Sequence, residues 1–287
     1  MATNTTHLSS RMVFLNSDNA WKSLSSSEKI FLFDDVIYCP PTVGMTLKLK
    51  SLQFCNSAYT IGSQSNQIRF TVSGSPAVHH DIVIDSGFYS SGSFLKILQE
   101  KVTAAFGAGV VTVVFSSISG KFSFTYTGSG SLGINPSGTT CFEPLGFPRG
   151  LTDVLYTSLG VANFSGLNSL YFEILNIPTS SLDTRTQAAS NTLARVNVDA
   201  PSGNMVYFTD TSSSSLRLNT STLNVFHCRL TDRYGSPIDF NKIPWEASLV
   251  VDFFHVIAPR EYQTLTKELK VEEPKPKPKP ESEPMET

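Results

Sequence analysis

The sequence predicts a mainly β fold: an antiparallel, single jelly-roll sandwich carrying a small inserted β-α-β-β subdomain. Three observations point there. Phe and Tyr number 20 and 9 among 287 residues, and charged residues make up only 16 %, which suits half-buried pleated surfaces and not a coiled coil or solenoid. Short apolar stretches alternate with runs of Ser, Thr, Asn and Gly, the pattern of many strands joined by turns. One stretch alone has strong helical spacing, and about eight strand-like segments lie outside its neighbourhood, the number a jelly roll needs.

Taken in order, Met1–Ser10 is polar and reads as an arm, with residues 1–27 forming an N-terminal segment ahead of the sandwich. The first convincing strand starts at Lys29–Phe33, and Pro40 and Pro41 break the chain after it. In Met45–Asn56, Met45, Leu47 and Leu49 share one face while Leu52 and Phe54 fall on the other phase. A bulge near Lys50 and Ser51 restores the register. Gln67–Val72 alternates cleanly. These segments place 28–76 and 161–265 in the jelly roll.

The pattern changes after Pro76. Asp81–Ile84 reads as a strand, Asp85-Ser86-Gly87 as a turn, and Phe94–Phe106 as a helix with Leu95, Leu98, Val102 and Phe106 in one stripe. Ser91 or Ser93 is expected to cap it and Gly107 to end it. Val110–Phe115 and Lys121–Thr127 follow as a hairpin around Gly120. This assigns 77–160 to the inserted α+β subdomain. Strands resume at Ser169–Asn176, Ala194–Val198, Met205–Thr209, Thr222–Leu230 and Ala247–Ile257, with a turn through Gly235 and Pro237 before the last. Residues 266–287, with Lys and Pro alternating over Lys275–Pro280, read as a disordered solvated tail or a strap for a neighbour.

The net charge of -2 supplies no basic field for nucleic acid. Cys39, Cys55, Cys141 and Cys228 are widely spaced and read as small buried hydrophobes in a reducing compartment. The polar start carries no secretory pattern, and Ala247–Ala258 is too short for a membrane span and contains Asp252 and His255. Synthesis in the cytosol is expected.

Several motifs resemble sites. Val83-Ile84-Asp85-Ser86-Gly87 is similar to an aspartic-protease loop, but Phe88 replaces the usual small residue and a helix begins at once. Gly128, Gly130 and Gly133 spell G-x-G-x-x-G, yet Ile134-Asn135-Pro136 reads as loop where a nucleotide site needs a helix. His79 and His80 are adjacent on a strand and so face apart. His227 and His255 read as packed, hydrogen-bonded strand residues, and the sequons at Asn4, Asn163 and Asn219 as chance. No catalytic, cofactor-binding or metal-binding residue is assigned, no cofactor is implied, and the chain is not expected to be an enzyme.

Four elements then carry a family resemblance. Asp85-Ser86-Gly87-Phe88-Tyr89-Ser90, leading into the helix, resembles the G-x-Y element of minor capsid proteins of Polintons, virophages and large double-stranded DNA viruses. Leu145-Gly146-Phe147 resembles the L-G-F that closes that element, and Leu167-Asn168-Ser169-Leu170-Tyr171-Phe172 the strand returning to the jelly roll. Leu230 to Phe240, followed by Trp245 and the strand Leu249 to Phe254, resembles the family's terminal hairpin. The resemblance spans roughly Ala77 to Phe254; the Lys-Pro tail has no counterpart in it. It implies a structural capsid protein located in the virion, most often the vertex penton, a homopentamer set among a major capsid protein and other minor capsid proteins. The alternative is a β-sandwich attachment protein that binds a receptor or carbohydrate, whose mark would be an aromatic cluster on exposed loops.

Overall fold

A computed structural model describes residues 7–74, 76–147, 158, 160–177, 181–183, 188–211 and 215–255. The sandwich strands are β1 (His7–Asn16), β2 (Glu28–Tyr38) and β3 (Val43–Cys55). The inserted subdomain supplies β4 (Gln67–Val72), β5 (Val78–Val83), helix α1 (Ser91–Phe106), β6 (Val111–Ser116), β7 (Lys121–Tyr126), β8 (Leu132–Ile134) and the single turn α2 (Phe142–Leu145). The sandwich resumes with β9 (Ser169–Ile174), β10 (Thr192–Asn197), β11 (Met205–Thr209), β12 (Leu216–Leu218), β13 (Thr222–Thr231) and β14 (Trp245–His255).

One sheet runs β1-β14-β3-β11, with β12 pairing the start of β3; the other runs β10-β9-β13-β2. If β11 and β12 count as one interrupted strand, the eight sandwich strands in chain order form sheets 1-8-3-6 and 5-4-7-2. Every described pairing is antiparallel. That order is the jelly roll expected from the sequence. The bulge also falls where the apolar phase demanded it: Ser248 faces Ser51 and Leu249 faces Leu49, so Lys50 is the extra residue. Met45, Leu47, Leu49, Leu52 and Phe54 consequently all point inward and are buried.

Trp245 sits at the centre of this core. Its ring meets Phe31 edge-on at 5.9 Å and Phe172 at 6.1 Å, both from the opposite sheet. Its Nε1 donates to the Ser26 carbonyl at 3.2 Å, so the one polar atom of the buried indole is satisfied.

Two expectations are corrected. The N-terminal arm assigned to 1–27 is corrected from His7 onward, where the chain is edge strand β1, paired along its length with β14. Val13 and Leu15 point inward and are buried, which stabilises a segment whose first residues are polar. Residues 1–6 lie outside the described residues, as does the tail at 266–287. The jelly-roll boundary at 76 also moves. β4 pairs with β5 and β8, and Ile61, Ile68 and Phe70 belong to a second hydrophobic core with Phe94, Leu98 and Phe122. Alternation showed that β4 has a buried face but not which core covers it.

The second core extends from Ile61 to Phe164, and Leu167 already packs on the first. Its helix is stapled at both ends. Ser90, one residue before the expected positions, is the N-cap, and Ser93 completes the capping box from inside the helix. Gly107 ends the helix at φ +94°, where a Cβ would strain the backbone. Phe94, Leu98 and Val102 are fully buried, while Leu95 and Phe106 flank them half-buried. Gln99 reaches from the helix to the open edge of β6, accepting from Val113 N at 2.8 Å and donating to the Val111 carbonyl at 3.0 Å.

Ser90→Ala is expected to destabilise the insert by about 1 kcal/mol and Leu98→Ala by about 2–5 kcal/mol. Hydrogen exchange should report both losses in α1 and its packing strands and leave the amides of β3 and β14 protected.

Candidate contact surface and interlobe cleft

The residues of interest lie in two places. The first is the sandwich edge. β1 is the outer strand of one sheet and β2 lies at the edge of the other, with only Lys22–Ser23 paired beyond it at Lys29 and Ile30; an ion pair between Arg11 and Asp35 at 2.5 Å ties the two strands. Met12 and Phe14 on β1 and Leu32, Val36 and Tyr38 on β2 point to solvent; Phe14 is 70 % exposed. A cavity of ≈ 400 Å³ opens between them, with Phe31, Phe33 and Ala247 in its wall. Met205 and Tyr207 are exposed on β11, the strand at the far edge of the same sheet. The sequence reading missed this surface by treating the segment as an arm. The signal was present: Met12-Val13-Phe14-Leu15 is apolar in both phases, the pattern of a strand covered on two faces.

Asp252 fastens the other end of β1. It accepts from Ser10 Oγ at 2.5 Å and pairs with Lys48 Nζ at 3.2 Å and His7 Nε2 at 3.5 Å. Burial opposes its ionisation, but the hydrogen bonds from Ser10 and Lys48 outweigh that and hold the carboxyl below the usual aspartate range.

The second place is the junction between sandwich and insert, a cleft of ≈ 270 Å³. The turn between β13 and β14 forms one wall. Asp232 Oδ1 accepts from Tyr234 N and Ser236 N, and Gly235 takes φ +81°. Arg233 crosses to the insert and pairs with Glu143 Oε1 at 3.0 Å, while its guanidinium lies 4.8 Å from the Tyr234 ring centre. On the facing side, Tyr59 meets Phe88 edge-on at 5.1 Å.

The motifs singled out in the sequence are dispersed. Asp85 is exposed and paired with Lys101 at 3.3 Å, and Gly87 bridges to the backbone of Ile61 in the turn before α1. Gly133 lies inside β8 opposite Thr71, so the glycine triplet opens no helix. His79 bonds Thr71 Oγ1 at 2.8 Å while the His80 ring lies 4.1 Å from that of Phe106, so the pair does face apart. His227 is hydrogen-bonded to Glu28 at 2.7 Å as expected. His255 is a correction: it is exposed, because β14 ends there. All four cysteines are free and buried, and burial pushes the Cys141 and Cys228 thiols up. Asn163 Oδ1 accepts from Ser165 N at 3.0 Å, Asn219 is exposed, and Asn4 lies outside the described residues. Among the described residues, no group of three or more His, Cys, Asp or Glu could hold a metal, and no helix is long and apolar enough to cross a membrane.

No family model and no curated protein sequence matches the chain. Among solved structures it is similar to the mavirus penton protein, with 12 % identity over 84 % of this chain and 99 % of that one and a TM-score of 0.43. It is also similar to a chain of the Sputnik virophage solved by cryo-EM, with 11 % identity, 85 % and 98 % coverage and a TM-score of 0.38. A third is VP17, a capsid protein of bacteriophage P23-77, with 9 % identity, 88 % and 100 % coverage and a TM-score of 0.16.

Because the Asp252 carboxyl is held low in the folded state, its stabilisation is present above about pH 4, the ordinary carboxylate value, and is lost as pH falls through the lower folded value. Asp252→Asn is expected to remove that part of the acid limb in a denaturation-versus-pH series. It should also speed hydrogen exchange in β1.

Proposed function

We propose that this chain is a structural protein of an icosahedral viral capsid, the vertex penton or another minor capsid protein. It acts in the virion by contact with copies of itself, with a major capsid protein and with other minor capsid proteins, and it performs no catalysis. The observation that carries the proposal is the jelly-roll strand order together with the exposed apolar edge of Met12, Phe14, Leu32, Val36 and Tyr38. A jelly roll hosts many functions, so the surface and not the fold has to make the case. An apolar edge of this kind seeks a cover. Met205 and Tyr207 at the far edge of the sheet offer a complementary one. An interface between two different edges of identical copies is heterologous and closes into a ring when the rotation permits. Five copies is the number the family resemblance implies.

The resemblance itself gains physical content. Leu145 and Phe147 are buried in the second core around Gly146 at φ +75°. The Leu230–Phe240 segment is the turn that brings Trp245 back into the first core. The insert leaves the sandwich between β3 and β9, and we place it on the outer side of the shell. A capsid map with residues 77–150 on the inner surface would refute that placement.

Light scattering and negative-stain imaging of the purified chain test the assembly. A closed ring of five is expected, and Phe14→Asp should shift it to monomer without lowering the melting temperature. A chain that stays monomeric at every concentration and is not incorporated beside major capsid protein overturns the proposal.

A further inference from the structure

We infer that the cleft between sandwich and insert binds a neutral, hydroxyl-rich ring: a hexopyranose at the end of a glycan. Four features of the cleft lead there. Its volume of ≈ 270 Å³ falls just below the range of drug-sized ligand pockets, about 300 to 1,000 Å³. That suits one or two sugar rings, not a folded partner. It also sits at the junction of two packing units, where such pockets concentrate.

Aromatic faces come next. Tyr59 and Tyr234 both line the cleft and are 38 % and 42 % exposed. Each ring is held in place: Tyr59 by its edge-on contact with Phe88, Tyr234 by the Arg233 guanidinium. Fixed, half-exposed tyrosines present a flat apolar surface at little entropic cost. The C–H face of a pyranose matches such a surface.

Polar groups of both senses stand beside them. Asn163 Oδ1 is taken by Ser165 N and Oγ, and Asn168 Nδ2 donates to Ser165 Oγ at 2.9 Å. Asn163 Nδ2 and Asn168 Oδ1 carry no protein hydrogen bond among the described residues. Both asparagines line the same cleft, and each keeps one amide group for a ligand. A hydroxyl can satisfy either, and adjacent hydroxyls on a ring can satisfy both.

Charge selects among sugars. Among the described residues the one cation of the wall, Arg233, is already paired with Glu143 at 3.0 Å, and Asp232 and Asp239 also line the cleft. Such a wall repels carboxylates and phosphates, so the site is for neutral sugars and not sialylated or phosphorylated ones. The inference is independent of the assembly proposal, because Phe14 and Leu32 lie in the other cavity.

Saturation-transfer NMR of the full chain with glucose, galactose, mannose and N-acetylglucosamine, each beside sialic acid, tests the site. Millimolar binding of at least one neutral sugar is expected, with none to sialic acid. Tyr234→Ala should weaken it about tenfold, the scale of one lost ring contact, while Tyr234→Phe keeps the ring and retains binding. Ile118→Ala, exposed in the turn between β6 and β7 and outside the cleft lining, should leave binding unchanged, and equal melting temperatures will exclude unfolding as the cause. Silence from every neutral sugar overturns the inference. So does binding that Tyr234→Ala and Tyr59→Ala leave intact, or a cleft that responds only to a peptide of residues 272–283. Loss of sugar binding in rings that still close bears on the cleft alone, and monomers that still bind sugar bear on assembly alone.

Discussion

The pairing of β3 with β14 is the constraint on which the rest of the molecule depends. The two strands run antiparallel from Trp245 opposite Phe54 to His255 opposite Val43. β14 then carries β1 on its free side, and β3 carries β11 and β12 on its own. The partners are about 200 residues apart, so their closure entropy must be offset by strong local agreement. The Lys50 bulge provides that agreement. Without it, either Met45, Leu47 and Leu49 or Leu52 and Phe54 would face water. The same register seats Trp245 between Phe31 and Phe172 and so couples one sheet to the other.

A chain pinned in this way can carry a large insertion at little cost to the sandwich. β3 ends in one sheet and β9 begins in the other, and the described apolar residues from Ile61 to Phe164 build their own core around Phe70, Phe94 and Phe122. Loop-closure cost grows slowly with length, so the insert needs only to fold by itself and meet the sandwich at its base. The meeting is polar: the Arg233–Glu143 pair crosses it, and the tyrosine-lined cleft lies beside it.

The two surface features differ in the chemistry they offer. The apolar edge of β1 and β2 offers area without directional chemistry, which suits repeated contacts between identical copies. Several modest interfaces per copy then add through multivalency. The cleft offers small volume, fixed rings and amide groups, which suits one defined ring-shaped ligand. Neither feature uses Asp85, His79 or the glycine triplet. Those residues serve local structure as a helix-entry turn, a cross-strand hydrogen bond and a loop into β8.

Much of the fold was legible because it is written in local periods. The two phases of Met45–Phe54 located a bulge to within a residue. The spacing of Leu98 and Val102, with Gly107 behind them, located the helix and its end. The strand count outside the insert pointed to a jelly roll. What stayed illegible was which partner each period meets. β4 alternates as well as any sandwich strand but packs in the second core, and β1 begins with polar residues although Val13 and Leu15 anchor it. Alternation reports that a face is covered and is silent on what covers it, because burial is a property of the neighbour as much as of the strand. The contact edge and the cleft are less legible still. The apolar residues of β1 and β2 come from strands of two different sheets, and Tyr59 and Tyr234 line one cleft from distant points in the chain, only after long-range pairing has brought them together. Sequence by itself thus determined the elements and their order; tertiary structure decided the pairings, and with them the surfaces on which a partner can act.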